Sequence, residues 1–486
     1  MKSFKSFLVI IFIGLIFLLP SCRPDVEDSY PDLDIYVYNF SQIFENFWHG
    51  MNRNYLYWDR EPVSSIWFSA FANLPSNVRS NITAEPMAFW DIMYDYYKPK
   101  FAGLGEIAIA DISSSPAAKT ALDFFKEMTY GLCDGHFKIV FKDGSVIWPM
   151  NIRKEAGYIE EPVPGASGVF YYSNLSANIV NLDNIPDDED DLQSYISDPE
   201  AYFRTYNFAD KVISRYLNTS YDLVKDVSMG DNDPKFRFIR GTIPHSEGGI
   251  ILYLSYNYCS IADLVNTNTN VSNIYNKFLT DLEKPEVKGI IMDMRGNRGG
   301  SLYDIGYFWG RIVDAPLTYS ETRAKSGESR LKYGPWIPNR IIPAPAGQKK
   351  LGNKNAKIVF LVDGGTSSTA ELMTMAAKAY GNGYVAGTKT MGAAGSASEN
   401  NMTYNGGVFR MDHFIEYAGG AEVQNRSAAD KVVYEGEGIK PDIEVEMTKT
   451  DWENFFGKND ASRKFTDKQL EEAIKAIDAS RNFAGL

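Results

Sequence analysis

Two stretches of this chain pass from an apolar run through a glycine-bearing turn into a helical pattern, and they restrict the fold more than any other feature. Residues 358–363 (IVFLVD) meet GGTSSTAE at 364–371 and then an amphipathic run. Residues 287–294 (VKGIIMDM) meet RGNRGG at 295–300 and then SLYDIGYFWGRIVD. Short apolar runs bounded by glycine read as buried strands, and strands that alternate with helical patterns build parallel sheets. The predicted class is therefore α/β, a βαβ-rich core sheet flanked by helices.

Both turns also bear on chemistry. Ser368 stands where a strand gives way to a helix, next to unpaired backbone N–H groups and the positive end of the helix dipole, which favour a developing oxyanion. The same four residues, Ser368 to Glu371, also fit the capping box S/T-x-x-E, which needs no catalysis. In the other turn Gly299 and Gly300 let bare backbone approach a ligand, as either a phosphate or an oxyanion requires. Neither G-x-x-x-x-G-K-[ST] nor G-x-G-x-x-G occurs here, and no lysine follows the last glycine, so an oxyanion ranks above a phosphate.

With VAGTKTMGAAG at 385–395 and GEGIKPDIEV at 436–445, these segments resemble the core of the tail-specific (C-terminal processing) serine proteases, peptidase family S41, over residues 248–447. The resemblance implies a ClpP/crotonase-like core, Ser368 as nucleophile, and an oxyanion hole drawn from Gly299 or Gly300 and Thr369. Many members pair the serine with a lysine. Here Gly392-Ala393-Ala394 occupies that segment, with Ala393 at the lysine position, and a serine without a base is a poor nucleophile. His136, in LCDGHF, resembles the D-G-H element of the tricorn-like branch, in which a histidine replaces the lysine. An imidazole titrates near neutrality, as a general base should. Glu435, just before the second motif's glycine, matches the branch's glutamate on the histidine side. His49, His245 and His413 have no comparable context and read as structural.

The N-terminus supplies an address. Lys2 and Lys5 precede the apolar run FLVIIFIGLIFLLP, and Leu19-Pro20-Ser21-Cys22 resembles a lipobox whose cysteine is lipidated. The run is shorter than the roughly 20 residues that span a bilayer. Residues 1–21 are expected to be a lipoprotein signal peptide and Cys22 the lipidation site, anchoring the chain in the cell envelope. Arg23 favours the outer membrane.

The remaining divisions follow composition. A polar tether (22–34) leads to a helical N-terminal domain (35–132), where Ile43, Phe44, Phe47 and Met51 recur at helical spacing. A mixed region (133–247) holds the acidic run 187–191 and no clear PDZ carboxylate loop. The protease core (248–447) precedes a C-terminal helical tail (448–486), with a helix over 467–479. A net charge of −13 argues against nucleic acid as a partner. Besides Cys22 there are Cys133 and Cys259, whose spacing matches no zinc pattern, and they could pair or stay reduced. No metal or organic cofactor is implied. The expected activity is an exported serine endopeptidase acting on peptide or unfolded protein. The alternatives are an inactive protease-like lipoprotein that binds a peptide or apolar ligand, and esterase or amidase chemistry on the same serine.

Overall fold

The computed structural model describes residues 39–60, 88–106, 115–129, 132–149, 211–217, 220–229, 235–327, 329–396, 414–447, 451 and 465–480. The helices are α1 (Phe40–Asn54), α2 (Ala88–Ala102), α3 (Pro116–Thr129), α4 (Ile261–Thr267), α5 (Thr269–Leu282), α6 (Tyr303–Trp309), α7 (Thr369–Ala379) and α8 (Lys468–Ile477). The strands are β1 (Lys138–Phe141), β2 (Val146–Ile147), β3 (Tyr221–Val227), β4 (Phe236–Pro244), β5 (Ile250–Tyr256), β6 (Val287–Asp293), β7 (Leu317–Ala324), β8 (Ile337–Ile341), β9 (Lys357–Val362), β10 (Gly383–Gly387), β11 (Ile415–Gly419), β12 (Val423–Ser427) and β13 (Ile443–Glu444).

A mixed seven-stranded sheet, in the order β13-β10-β9-β6-β5-β4-β3, organises the chain. From β5 to β13 the neighbours are parallel, and β3, β4 and β5 run antiparallel. The two apolar runs singled out in the sequence are the adjacent strands β6 and β9, which are buried on both faces because helices cover each side. Helices α4 to α7 pack on one face through Val271, Phe278, Trp309 and Met373. On the other face lies α8, seated by Leu470, Ala473, Ile474 and Ile477. It comes so close that a Cβ on Gly289 would stand 2.7 Å from Ile477.

The N-terminal helices do not close a core by themselves. Phe44, Phe47, Trp48 and Trp90 share one buried cluster with Ile139 and Phe141 of β1, Phe414, and Ile415 and Ala418 of β11. Trp48 and Trp90 stack with ring centroids 4.5 Å apart. The expected helical unit 35–132 thus shares its core with β1 of the mixed region and β11 of the protease core, and this brings the loop at 133–136 onto residues 420–435. A third sheet, β12-β7-β8, completes the arrangement.

Among the described residues no helix is long and apolar enough to cross a membrane. The signal, lipidation and tether expectations, the acidic run 187–191 and His413 lie outside the described residues, as does much of the region in which a PDZ loop was sought. Cys133 and Cys259 are not joined in a disulfide and sit in different buried clusters.

Candidate active site

Three loops leave the carboxyl ends of the parallel strands β6, β9 and β10 side by side, which is where open α/β sheets bind ligands. The loop after β9 carries Ser368 at φ 54°, ψ −125°, one of two positive-φ residues other than glycine among those described. A non-glycine residue held in this region is strained, as at serine turns that thrust a hydroxyl out of a sheet. The Ser368 amide donates to the Ala393 carbonyl at 3.0 Å and to Glu371 Oε2 at 3.2 Å. Glu371 thus reaches back to the amide, as in a capping box. The serine hydroxyl lies 3.3 Å from His136 Nε2.

Glu371 does more than cap. Wholly buried, it also accepts from Thr390 Oγ1 (2.6 Å), Gly392 N (2.8 Å) and Ala393 N (2.8 Å). Burial raises its pKa, and those hydrogen bonds oppose the rise. The carboxylate fastens the loop after β10 to the Ser368 turn. Ala393, at the lysine position implied by the resemblance, lies against the Ser368 backbone and presents only a buried methyl group.

His136 arrives from outside the central sheet, on the loop between α3 and β1. Its N–H donates to Asp134 Oδ1 at 2.8 Å, and Asp134 Oδ2 accepts from Ala421 N at 3.0 Å. Glu435 accepts from Gly135 N (2.7 Å), Gly395 N (2.6 Å) and the Tyr57 hydroxyl (3.1 Å). The Trp148 indole donates to the Gly135 carbonyl at 3.1 Å. Glu435 thus holds the histidine through its loop backbone, and His136 Nδ1 is buried with no hydrogen-bond partner. Burial, with Lys138 adding repulsion, pushes the His136 pKa down to about 4. Burial pushes Asp134 up to about 6. It also raises Glu435, and the neighbouring Asp134 charge adds to that rise.

One nitrogen of His136 and one oxygen each of Asp134 and Glu435 lie within 4.8 Å of one another, a donor set that suits a metal ion. All four carboxylate oxygens already accept protein N–H or O–H groups. The group reads as a hydrogen-bonded support for the imidazole.

The glycine turn closes the other side. Gly299 and Gly300 have φ of 87° and 130°, and Thr369 Oγ1 donates to the Gly300 carbonyl at 2.6 Å, tying the two turns together. The Gly299 amide donates to Asn297 Oδ1 at 2.8 Å within its own turn. Among the described residues the Gly300 and Thr369 amides donate to no protein acceptor, which narrows the pair expected from sequence.

Comparison with known proteins bears on the family and the fold. The model of peptidase family S41 matches residues 255–445. That segment belongs to family S41. Within it lie both glycine-bearing turns, Ser368 and Glu435, whereas His136 lies outside. A nisin-resistance protein from Lactococcus lactis subsp. lactis is 25% identical over 193 residues, 39% of this chain and 57% of the relative, so the likeness spans little more than half of that protein. A crystal structure from Parabacteroides merdae, described as a candidate peptidase, superposes with a TM-score of 0.51 at 15% identity, over 92% of this chain and 99% of its own. Mature CPAF gives 0.47 at 12% identity, over 91% and 98%. The Parabacteroides structure shares the fold across almost the whole length, beyond the matched segment.

Sequence reasoning passed over Asp134, Tyr57, Asn297 and the wider role of Glu371. Asp134 had a local signal in D-G-H. Tyr57 had none, since its partner is 378 positions away. His49 pairs with Glu45 on α1, and His245 lies in a turn before β5, both away from Ser368. Cys133 is buried, with its Sγ 4.0 Å from the Tyr55 hydroxyl.

Proposed function

We propose that this protein is an exported serine endopeptidase that cleaves peptide or unfolded protein through an acyl-enzyme on Ser368. The observation that carries the reading is the 3.3 Å separation of Ser368 Oγ from His136 Nε2 at a strained strand-to-helix turn. Ser368 Oγ bonds to the scissile carbonyl carbon as its proton passes to Nε2. The carbonyl oxygen becomes an oxyanion facing the Gly300 and Thr369 amides, and the C–N bond then breaks as Nε2 returns the proton to the leaving amine. Water repeats the sequence to free the acid. Imidazolium formed in the first step sits near Asp134 and Glu435, and its charge is favoured by whichever of the two is ionised. On its N-terminal sequence we assign the protein to the cell envelope, anchored in the outer membrane by lipid on Cys22.

A binding protein without activity is the second reading. It draws on His136 Nδ1, which has no acceptor to fix the imidazole tautomer. A fluorophosphonate probe separates the two. Labelling of the wild type that is lost in both Ser368→Ala and His136→Ala supports the peptidase, and a folded wild type that stays unlabelled supports the binding protein.

A further inference from the structure

The C-terminal helix is fastened to the glycine turn by a buried ion network. Arg295, the first residue of that turn, is 2% exposed and contacts two carboxylates, each through a pair of hydrogen bonds. Its Nε and Nη2 donate to Asp293 at 2.9 and 2.7 Å, and its Nη1 and Nη2 donate to Asp467 at 3.0 and 2.7 Å. Nη1 also reaches Gln469 Oε1 at 3.2 Å. Asp467 is the N-cap of α8 and accepts the Leu470 N–H at 3.0 Å.

Seating the helix does not require these charges. Leu470, Ala473, Ile474 and Ile477 already bury an apolar face on the sheet, and a buried ion network is seldom more stabilising than apolar packing of similar volume. What a guanidinium fork adds is direction, because its donors are planar and fixed in angle. From Arg295 onward the turn has little freedom. Gly296 N donates to Asp363 Oδ1 (2.9 Å), Asn297 Nδ2 to the Tyr256 carbonyl (2.7 Å), and Ser367 N to the Asn297 carbonyl (2.9 Å). Beyond Arg298 come Gly299, packed against Ser368, and Gly300, whose carbonyl accepts from Thr369 Oγ1.

We propose that Arg295 and Asp467 are positioning residues: docking of α8 through the Asp293–Arg295–Asp467 network sets the glycine turn that faces Ser368. The C-terminal segment is then a working part of the site. This rests on reading Ser368 as the nucleophile, and the test keeps the two apart.

Asp467→Asn retains a good N-cap while losing the charge, and Arg295→Lys retains the charge while losing the fork. Ile474→Val, which loosens α8 without touching Arg295, is the control. With folding checked by near-UV circular dichroism, the first two variants should react with the fluorophosphonate about 10- to 100-fold more slowly, part of the loss expected for an oxyanion donor. On a peptide substrate kcat should fall with KM unchanged, and amide exchange at residues 296–300 should quicken. The control should label at the wild-type rate. Wild-type labelling in both variants, or a loss matched by the control, overturns the proposal. A wild type that does not label counts against the Ser368 reading. Amide exchange then decides this inference alone: quicker exchange at 296–300 in Asp467→Asn but not in the control upholds it, and unchanged exchange overturns it.

Discussion

Gly299 and Ser368 touch so closely that a methyl group added to Gly299 would stand 2.7 Å from Ser368 Cβ. The glycine also has φ 87°, which an L side chain rarely adopts.

Gly299→Ala should therefore push the two turns apart without removing any reactive group. Labelling of Ser368 is expected to slow by about 100-fold or more, as when an oxyanion donor is displaced. The strain should lower stability by about 1–3 kcal/mol. Probe kinetics and urea denaturation of the same preparation check both.

Glu371→Gln should be costly for a similar-sized side chain. A carboxylate with two acceptor oxygens serves four donors here, and an amide would turn its NH₂ towards some of them. A loss of about 1–3 kcal/mol is expected from leaving buried donors unmatched. Slower labelling should accompany it, because Ser368 N and Ala393 N share that carboxylate. Wild-type stability in urea would contradict this account.

The acid behaviour should be divided between two neighbours of opposite sign. His136, pushed down to about 4, stays neutral in the folded protein while the unfolded chain takes up its proton near the ordinary value of 6.5, so stability falls as pH drops through that interval. Asp134, pushed up to about 6, binds its proton in the folded state well before the ordinary value of 3.8 is reached, so its contribution to stability rises as pH drops from about 6. Asp134→Asn removes the rising contribution and should steepen acid destabilisation, measured as urea midpoints between neutral and acid pH. For activity, the acidic limb of kcat/KM is expected near the His136 value of about 4.

Tyr57→Phe tests whether the N-terminal helical region supports the site. It removes only the hydroxyl that donates to Glu435, at a stability cost of about 1 kcal/mol. Because Glu435 also holds the Gly135 amide, labelling is expected to slow by a few fold while KM stays unchanged. An unaltered labelling rate would show that Gly135 and Gly395 suffice to hold the carboxylate.

What could be read from the chain alone was local. Buried strands at 287–293 and 357–362 follow from apolar runs ended by glycine, and the helix after Ser368 follows from its capping residues and periodicity. So does the nomination of Ser368, since a strand-to-helix turn exposes a hydroxyl wherever the surrounding fold places it. The α8 helix was legible too, as a helical pattern over 467–479; the structure begins it at Lys468 with Asp467 as its cap. Tertiary structure alone decided which groups meet these. His136 approaches Ser368 across 232 residues, because α1 to α3 bury their aromatic face against β1 and β11 and carry the 133–136 loop with them. Glu435 reaches the Gly135 amide of that loop across 300 residues, and Arg295 reaches Asp467 across 172 residues. Spacing and periodicity describe neighbours along a strand or helix. Hydrogen-bond partners this far apart in sequence are fixed only when separate cores pack and leave each buried polar group a single place to bond.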